Sequence, residues 1–175
     1  MTATFTLHTF SEADILANLA PLSDVLSNCV NGGASVSFMQ PFKPETALAF
    51  WQRMAASVGR EERVVLVAKN AEQNIVGTVQ LVVDQPENQP HRADVAKLLV
   101  HESARRSGIA RALMQRLEEI AADAQKSVLV LDTATGSGAE TFYTRCGWQK
   151  VGEVPRYAYM PDGELTATSI FYKFL

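Results

Sequence analysis

The chain has 175 residues, of which 47% are hydrophobic and 20% charged, and these proportions predict one globular domain over residues 1–175. A formal net charge of −3 argues against a general nucleic-acid partner, because binding a phosphate backbone requires a basic surface. The N-terminus lacks a basic segment before an apolar core, and no apolar run approaches membrane-spanning length, so we expect a cytoplasmic protein with no membrane partner. The two cysteines and three histidines lack metal-ligand spacing, and we therefore expect no metal site.

The N-terminal third of the chain predicts a strand followed by two helices. Residues Thr4–Phe10 alternate apolar and polar side chains, which predicts the strand. Apolar residues at helical spacing follow Ser11, a residue type that caps helices, and Pro21 is expected to interrupt or kink this first helix. The second helix is predicted over Pro44–Gly59, because proline suits the first helical position and glycine often ends a helix.

Between these helices lies an unusual glycine-rich segment, residues 31–39. Gly32 and Gly33 predict a flexible loop, whereas Phe38 and Met39 are large apolar side chains. One interpretation is a loop that closes over a substrate and excludes water. The other is a linker that Phe38 and Met39 anchor to the core, and composition alone does not separate the two.

The middle of the chain predicts strands that flank one long helix. Val64–Ala68 and Ile75–Val83 are predicted strands, and the apolar run Val95–Val100 is a third. Apolar residues recur at helical spacing over residues 109–124, and the unbroken apolar run Val128–Leu131 predicts a strand covered on both faces. A strand, a helix and a strand within about 40 residues predict a right-handed crossover that joins two parallel strands.

The C-terminal part predicts a short helix and two strands. Ser137 and Glu140 have the spacing of a capping box, which predicts that a helix begins there. Strands are predicted at Trp148–Val154 and Thr166–Phe174, with a loop over Pro155–Leu165 between them, and we expect the pair to form an antiparallel hairpin at the sheet edge. Apolar residues on these two strands could support a homodimer.

The turn before the long helix, Arg105-Arg106-Ser107-Gly108-Ile109-Ala110-Arg111, has the properties of an anion site. The first four amides of a helix lack intrahelical partners and lie at the positive end of the helix dipole. Gly108 has no side chain to keep a phosphate group from these amides, and the small Ala110 keeps the next turn open. The three arginines add positive charge to an otherwise acidic chain. We therefore expect an anion to bind here.

Following Lys97-Leu98-Leu99-Val100, the pattern Arg105-x-x-Gly108-x-Ala110 resembles the coenzyme A signature, Q/R-x-x-G-x-G/A, of the GNAT superfamily of N-acetyltransferases. The resemblance implies an α/β fold whose mixed, mostly antiparallel sheet is splayed between two central parallel strands and has helices on both faces. It also implies acetyl-CoA as co-substrate, with the pyrophosphate on the backbone of the turn and the pantetheine arm along the preceding strand. The implied coenzyme-binding residues are Leu99, Val100, Arg105, Arg106, Ser107, Gly108, Ile109, Ala110, Arg111 and Ser137.

Two positions depart from the superfamily pattern. Gly136 stands where many members have an asparagine that contacts the pantetheine arm, so that contact is lost or supplied by Ser137. Arg106 replaces a frequent glycine, which restricts the backbone freedom of the loop but adds charge.

Acetyl transfer from a thioester to an amine requires a neutral amine and a proton donor for the leaving thiolate. In the superfamily a tyrosine at the position of Tyr143 often serves as the general acid, and the alternative role for Tyr143 is aromatic core packing. Asp94 matches the position of a glutamate that activates the amine in many members, and Asp132 follows the second parallel strand, where ligands gather. Either aspartate could be the base, directly or through water. The alternatives are a salt bridge of Asp94 with Lys97 or an arginine, and a loop or capping bond of Asp132.

Several segments are more specifically similar to the tabtoxin resistance acetyltransferase group, which acetylates a toxic amino-acid β-lactam. They are Gly32–Val36 with Phe38-Met39, Arg92–Val95 with Lys97-Leu98, Leu131–Thr133, Ala139-Glu140 with Phe142-Tyr143, and Val151–Glu153 with Pro155, Tyr157, Pro161–Gly163 and Thr168. The implied substrate cleft draws on Ser35, Phe38, Asp94, Asp132 and Tyr157. The expected acceptor is a small primary amine, an amino acid or amino-acid-like antimetabolite, attacked directly without an acyl-enzyme.

Two other functions stay open on the sequence. An enzyme of the same fold could acetylate protein N-termini or lysines, which would require a wider groove for a peptide. A non-catalytic protein could bind acetyl-CoA as a sensor. The candidate acid and bases favour an enzyme over a sensor.

Overall fold

The structure is a computed structural model that describes residues 4–175. In chain order the elements are β1 (Phe5–Phe10), α1 (Glu12–Ala17), α2 (Leu19–Asn31), α3 (Pro44–Gly59), β2 (Arg63–Asn70), β3 (Ile75–Val82), β4 (Arg92–Val100), α4 (Ile109–Asp123), β5 (Val128–Ala134), α5 (Gly138–Arg145), β6 (Gln149–Tyr159) and β7 (Leu165–Phe174). One turn of 3-10 helix, Glu102–Ala104, precedes α4.

The first predicted helix is two helices, because the chain breaks at Asn18 rather than at Pro21. Ser11 caps α1 through a capping box, in which its hydroxyl accepts from the Asp14 amide and the Asp14 carboxylate accepts from the Ser11 amide. Pro21 lies in the first turn of α2, where its missing N–H has no intrahelical partner to lose.

The sheet has seven strands in the order β1-β2-β3-β4-β5-β7-β6, and only β4 and β5 are parallel neighbours. These two strands pair over three positions, Arg92 with Val128, Ala93 with Leu129 and Asp94 with Val130. Beyond Asp94 and Val130 they separate, so the rest of each strand faces a cleft. The α/β fold with a sheet splayed between two parallel strands is thereby confirmed.

Helices cover both faces of the sheet and bury two separate cores. On one face α4 buries Leu113, Met114 and Leu117, which are at most 1% exposed. On the other face α1, α2 and α3 bury side chains that include Leu22 and Trp51. The helical spacing of apolar residues seen in the sequence produces these buried faces. None of the helices within residues 4–175 has the length and apolar composition needed to cross a membrane.

The loop predicted over Pro155–Leu165 is shorter in the structure, because β6 continues to Tyr159. Tyr159 pairs with Leu165, so only the turn 160–164 separates the two strands. The pairing register shifts over residues 155–157, which form a bulge. Proline has no N–H and cannot donate a hydrogen bond to a neighbouring strand. Pro155 lies in a bulge of an edge strand, where no such bond is needed, and β6 therefore continues past it.

Candidate active site

A cavity of about 300 Å³ lies where β4 and β5 separate. We call it the splay cavity. Its walls are the diverging parts of the two strands, the glycine-rich loop, residues of α5 and of the loop before it, and one residue of the β6–β7 turn. The lining residues are Gly33, Ala34, Ser35, Val36, Ser37, Val95, Ala96, Lys97, Leu98, Leu131, Asp132, Thr133, Ala134, Ser137, Ala139, Tyr143 and Met160.

A bulge in β4 shapes one wall of the splay cavity. Between two paired positions, β4 has two residues, Lys97 and Leu98, where β3 has only Val79. Lys97 has φ +57°, a left-handed conformation that residues other than glycine rarely adopt. The sequence patterns place Lys97 only in a motif and as a partner for Asp94. The signal for a further role is that Lys97 is the single charged residue within the apolar run Val95–Val100.

Tyr143 lies in the splay cavity and is held by aromatic neighbours. Its ring centroid is 5.3 Å from that of Phe142, 6.1 Å from Trp148 and 6.0 Å from Phe171. Only 8% of the residue is exposed. Burial, with smaller contributions from Cys146 and Asp132, raises the pKa of Tyr143 to about 12. The phenol therefore stays protonated at neutral pH, in a position fixed by packing.

The two candidate bases have different surroundings. Asp132 lines the splay cavity, and its Oδ2 accepts a 2.8 Å hydrogen bond from the Thr168 hydroxyl. Asp94 lies at the paired part of β4, where Arg92 donates to its Oδ1 at 2.5 Å and Gln85 to its Oδ2 at 3.0 Å. Alternate residues of a strand share a face, so Asp94 lies on the same face as the cavity residue Ala96 without lining the cavity. The structure thus brings Asp132 and Tyr143 into one space and leaves Asp94 beside it.

Of the three residues expected to contact the acceptor, only one lines the splay cavity. Ser35 lines the splay cavity. Phe38 packs with its ring 5.0 Å from Phe42 and 5.4 Å from Phe50, and so anchors the glycine-rich loop to the core under α3. Tyr157 lies in the β6 bulge, is 56% exposed and does not line the cavity. The turn contributes Met160 instead, a residue that the sequence patterns did not single out.

Most of the expected coenzyme-binding residues line a second cavity of about 290 Å³ at the N-terminus of α4. Gly108 is the N-cap of α4 with φ +84°, and a Cβ added there would meet nothing within 4 Å, so the space before the α4 amides is open. Arg106 has φ +59° and adopts the backbone conformation for which the superfamily often uses glycine. The lining residues are Val100, Ala104, Arg105, Arg106, Gly108, Ile109, Ala110, Arg111 and Phe142.

The remaining expected coenzyme residues have other positions. Leu99 is 3% exposed and packs in the core with α2. Ser107 donates its hydroxyl to the Ala104 carbonyl. Ser137 lines the splay cavity, where its buried Oγ has no hydrogen-bond partner among the residues that the structure describes. Arg105 lines the second cavity, but its Nε donates to the Val100 carbonyl at 3.3 Å, so this side chain also holds the turn against β4.

The capping box predicted at Ser137 and Glu140 is not formed. The Ser137 side chain makes no capping bond, and Glu140 Oε2 instead accepts from the Gly136 amide at 2.7 Å. Glu140 Oε1 lies 3.0 Å from the Lys150 ammonium on β6. Hydrogen bonds from Ser169 and from the Gly136 amide lower the pKa of Glu140 to about 2. This carboxylate therefore ties the loop that carries Ser137 to α5 and β6.

The sequence matches the acetyltransferase (GNAT) family over residues 34–148, a range that includes both cavity-forming strands, α4 and α5. The chain belongs to this family. It is an acetyl-CoA-dependent N-acetyltransferase, and the open space before the α4 amides fits the phosphates of that co-substrate. Within residues 4–175, no group of three or more His, Cys, Asp or Glu side chains is placed to hold a metal ion.

Solved structures share this fold over nearly the whole chain. The ribosomal-protein-alanine N-acetyltransferase from Brucella melitensis is 22% identical with a TM-score of 0.77, over 97% of this chain and 99% of that one. The yncA protein from Salmonella typhimurium, named as an acetyltransferase and solved with its cofactor acetyl-CoA, is 16% identical with a TM-score of 0.78, over 98% and 94%. A structure named as a phosphinothricin N-acetyltransferase is 20% identical with a TM-score of 0.73, over 98% of both chains. At sequence identities of 16–22%, these similarities establish the fold of this chain alone.

Gly108→Ala should weaken acetyl-CoA binding about 10-fold or more, equivalent to about 1.4 kcal/mol. Alanine strains a backbone with φ +84°, and its Cβ enters the space before the α4 amides. Gly163→Ala is the matched control, because Gly163 has φ +95° and equal room for a Cβ but lies in the β6–β7 turn. Calorimetric titration with acetyl-CoA measures the effect, and an equal loss of affinity in both variants would contradict the assignment.

Glu140→Gln should lower the free energy of unfolding most at neutral pH. The folded-state pKa of Glu140 is about 2, below the ordinary 4.5, so the carboxylate stabilises the fold above about pH 4.5 and this stabilisation is lost as the pH falls towards about 2. The difference between wild type and variant should shrink over that interval. Urea unfolding at a series of pH values measures it, with Glu72→Gln in the exposed β2–β3 turn as control. A difference that is constant with pH would disprove the linkage.

Proposed function

We propose that this enzyme acetylates the amine of a small molecule, an amino acid or an amino-acid-like antimetabolite of the kind that the tabtoxin resistance group acetylates. The observation that carries the proposal is the splay cavity, where a protonated phenol, Tyr143, and a carboxylate, Asp132, line the same space. The reaction needs both groups, because the amine must lose a proton and the leaving thiolate must gain one.

Asp132 is the proposed base. One of its carboxylate oxygens accepts from Thr168, which orients the group, and the residue is otherwise exposed to the cavity. Asp94 is a weaker candidate, because Arg92 and Gln85 already occupy its two oxygens. We therefore assign Asp94 a positioning role at the end of the paired strands.

Tyr143 is the proposed acid. Its raised pKa keeps the proton on the phenol until the thiolate forms, and its aromatic neighbours hold the hydroxyl in one direction. Acetyl-CoA supplies the acetyl group as a thioester. The α4 amides and the arginines of the second cavity bind its phosphates, so both co-substrates are held in one ternary complex.

The positions of the two cysteines and the pKa values of their thiols support direct attack by the amine, without an acyl-enzyme. Neither Cys29 nor Cys146 lines the splay cavity. Burial raises the pKa of both thiols, which keeps them protonated and poorly nucleophilic. The acetyl group therefore passes from the thioester to the amine in a single transfer.

The size of the splay cavity supports a small acceptor. About 300 Å³ lies at the lower end of small-ligand sites, and the loop 33–37 and Met160 contribute to the walls of this cavity. The names of the similar structures point both ways, since one is a ribosomal-protein-alanine enzyme and another a phosphinothricin enzyme. Acetylation of a protein N-terminus or lysine is the second candidate, and a non-catalytic acetyl-CoA sensor is the third.

A homodimer is a further proposal, supported by apolar side chains on the strands at one edge of the sheet. These side chains are 44–68% exposed. They are Val151, Tyr157, Tyr159, Leu165 and Phe174.

The test is release of coenzyme A from acetyl-CoA, followed with a thiol reagent, across amino acids, β-lactam amino acids, polyamines, aminoglycosides and short peptides. Turnover confined to amino acids and their analogues would support the proposed acceptor. Turnover confined to peptides would replace it with the second candidate. Binding of acetyl-CoA without turnover of any class would favour the sensor.

Tyr143→Phe should lower kcat by about 10²–10⁴-fold while leaving acetyl-CoA affinity nearly unchanged, because it removes the proton donor but keeps the packed ring. Tyr172→Phe is the control, since the Tyr172 hydroxyl donates to Gln149 outside the cavity. Steady-state kinetics and calorimetric titration separate the two quantities. Normal turnover of the Tyr143 variant would remove this residue as the acid.

Asp132→Asn should lower kcat by about 10²-fold or more, whereas Asp94→Asn should lower it by less than about 10-fold. The reason is that only Asp132 lines the splay cavity with Tyr143. Kinetics of both variants on the same amine measure the difference. A larger loss in the Asp94 variant would transfer the role of base to Asp94.

A further inference from the structure

Lys97 introduces a positive charge into the acceptor side of the splay cavity. Its side chain lines the cavity, and its ammonium donates to the Ser37 hydroxyl at 3.3 Å. No carboxylate lies within ion-pair distance of this ammonium among residues 4–175. The cavity therefore holds a lysine whose close partner is a neutral hydroxyl.

The electrostatic surroundings of Lys97 favour an added anion. Burial and the nearby charge of Arg63 lower the pKa of Lys97, and Asp132 only partly opposes this. Arg63 is fixed near the site, because it donates to Ser57 and to Gln80 at 2.8 Å each. Burying a charge without a counter-ion costs free energy, and a carboxylate from a bound molecule would offset that cost.

The backbone holds Lys97 in this position at a cost. The bulge places it in a left-handed conformation, and Ser37, its partner on the opposite loop, also has a positive φ of +77°. Strained residues persist where the surrounding structure fixes them, and they cluster at ligand sites. Two strained residues that meet across a cavity through one hydrogen bond therefore indicate a built feature of the acceptor side.

We propose that Lys97 binds the carboxylate of the acceptor, so that the enzyme selects amino acids over amines that lack a carboxylate. Asp132 and Lys97 give one cavity a negative and a positive group, which complement the ammonium and the carboxylate of a zwitterion. The Ser35 and Ser37 hydroxyls, which line the same wall, are further donors for the carboxylate. This inference rests on the proposed function and adds the residue that sets its specificity.

The test compares amino acids with the amines formed by removing their carboxylate, such as L-lysine with cadaverine, L-phenylalanine with phenethylamine and L-tyrosine with tyramine. We expect Lys97→Gln to lower kcat/KM for the amino acid that turns over by about 10–100-fold, the range for a hydrogen bond to a charged group. The variant should not lower kcat/KM for the matching amine, because that molecule has no carboxylate for Lys97 to bind. Lys97→Arg should retain part of the preference, and Lys69→Gln, on β2 beside β1, should retain all of it.

Calorimetric titration of the same compounds into the enzyme with coenzyme A separates this inference from the proposed function. Wild type should bind at least one amino acid more tightly than its matching amine, and Lys97→Gln should lose that difference while keeping its coenzyme affinity. Equal losses for acid and amine, or no binding of any acid, would overturn the role of Lys97. Selective binding of acids with no acetyl transfer would support Lys97 as the carboxylate site and overturn only the proposed reaction.

Discussion

The early end of the pairing between β4 and β5 is the constraint on which the rest of the molecule depends. Three paired positions join the two strands, and beyond them the strands have separate neighbours, β3 and β7. The helices that follow these strands, α4 and α5, therefore begin on opposite sides of one opening. The start of α4 lines the second cavity, while α5 carries Tyr143 to the splay cavity. Had the strands paired to their ends, the splay cavity would have no room to form.

Packing in the core fixes where α4 begins against the sheet. Gly77 on β3 lies so close to α4 that an added Cβ would come within 3.0 Å of Ile109 and 3.3 Å of Leu113. The first turn of α4 and its N-terminal amides are thereby held against the sheet. On β4, the partner strand of β3, the bulge at Lys97 shapes one wall of the splay cavity. The second cavity and the splay cavity are thus shaped by two features of the β3–β4 strand pair.

The features that the sequence could predict were local ones. The order of elements, the parallel pair and the coenzyme turn follow from periodicity, from glycine and proline and from helix-end amides, all of which act over a few residues. The bulge at Lys97 depends on the register between β3 and β4, which no local pattern encodes. Phe38 is directed to the core by contacts with α3, and the length of β6 depends on its partner β7. Each of these features depends on contacts between residues that are far apart in the sequence.

The anchoring of the glycine-rich loop by Phe38 affects how the wall of the splay cavity can change. Phe38 ties the end of the loop to the core, while Ser35 and Ser37 lie on the cavity side of that anchor. Substitutions on the cavity side change the wall of the splay cavity while Phe38 keeps the end of the loop attached to the core. In a lineage carrying this scaffold, that wall can therefore diverge through a few loop residues, with the sequence of β4, β5 and α5 unchanged.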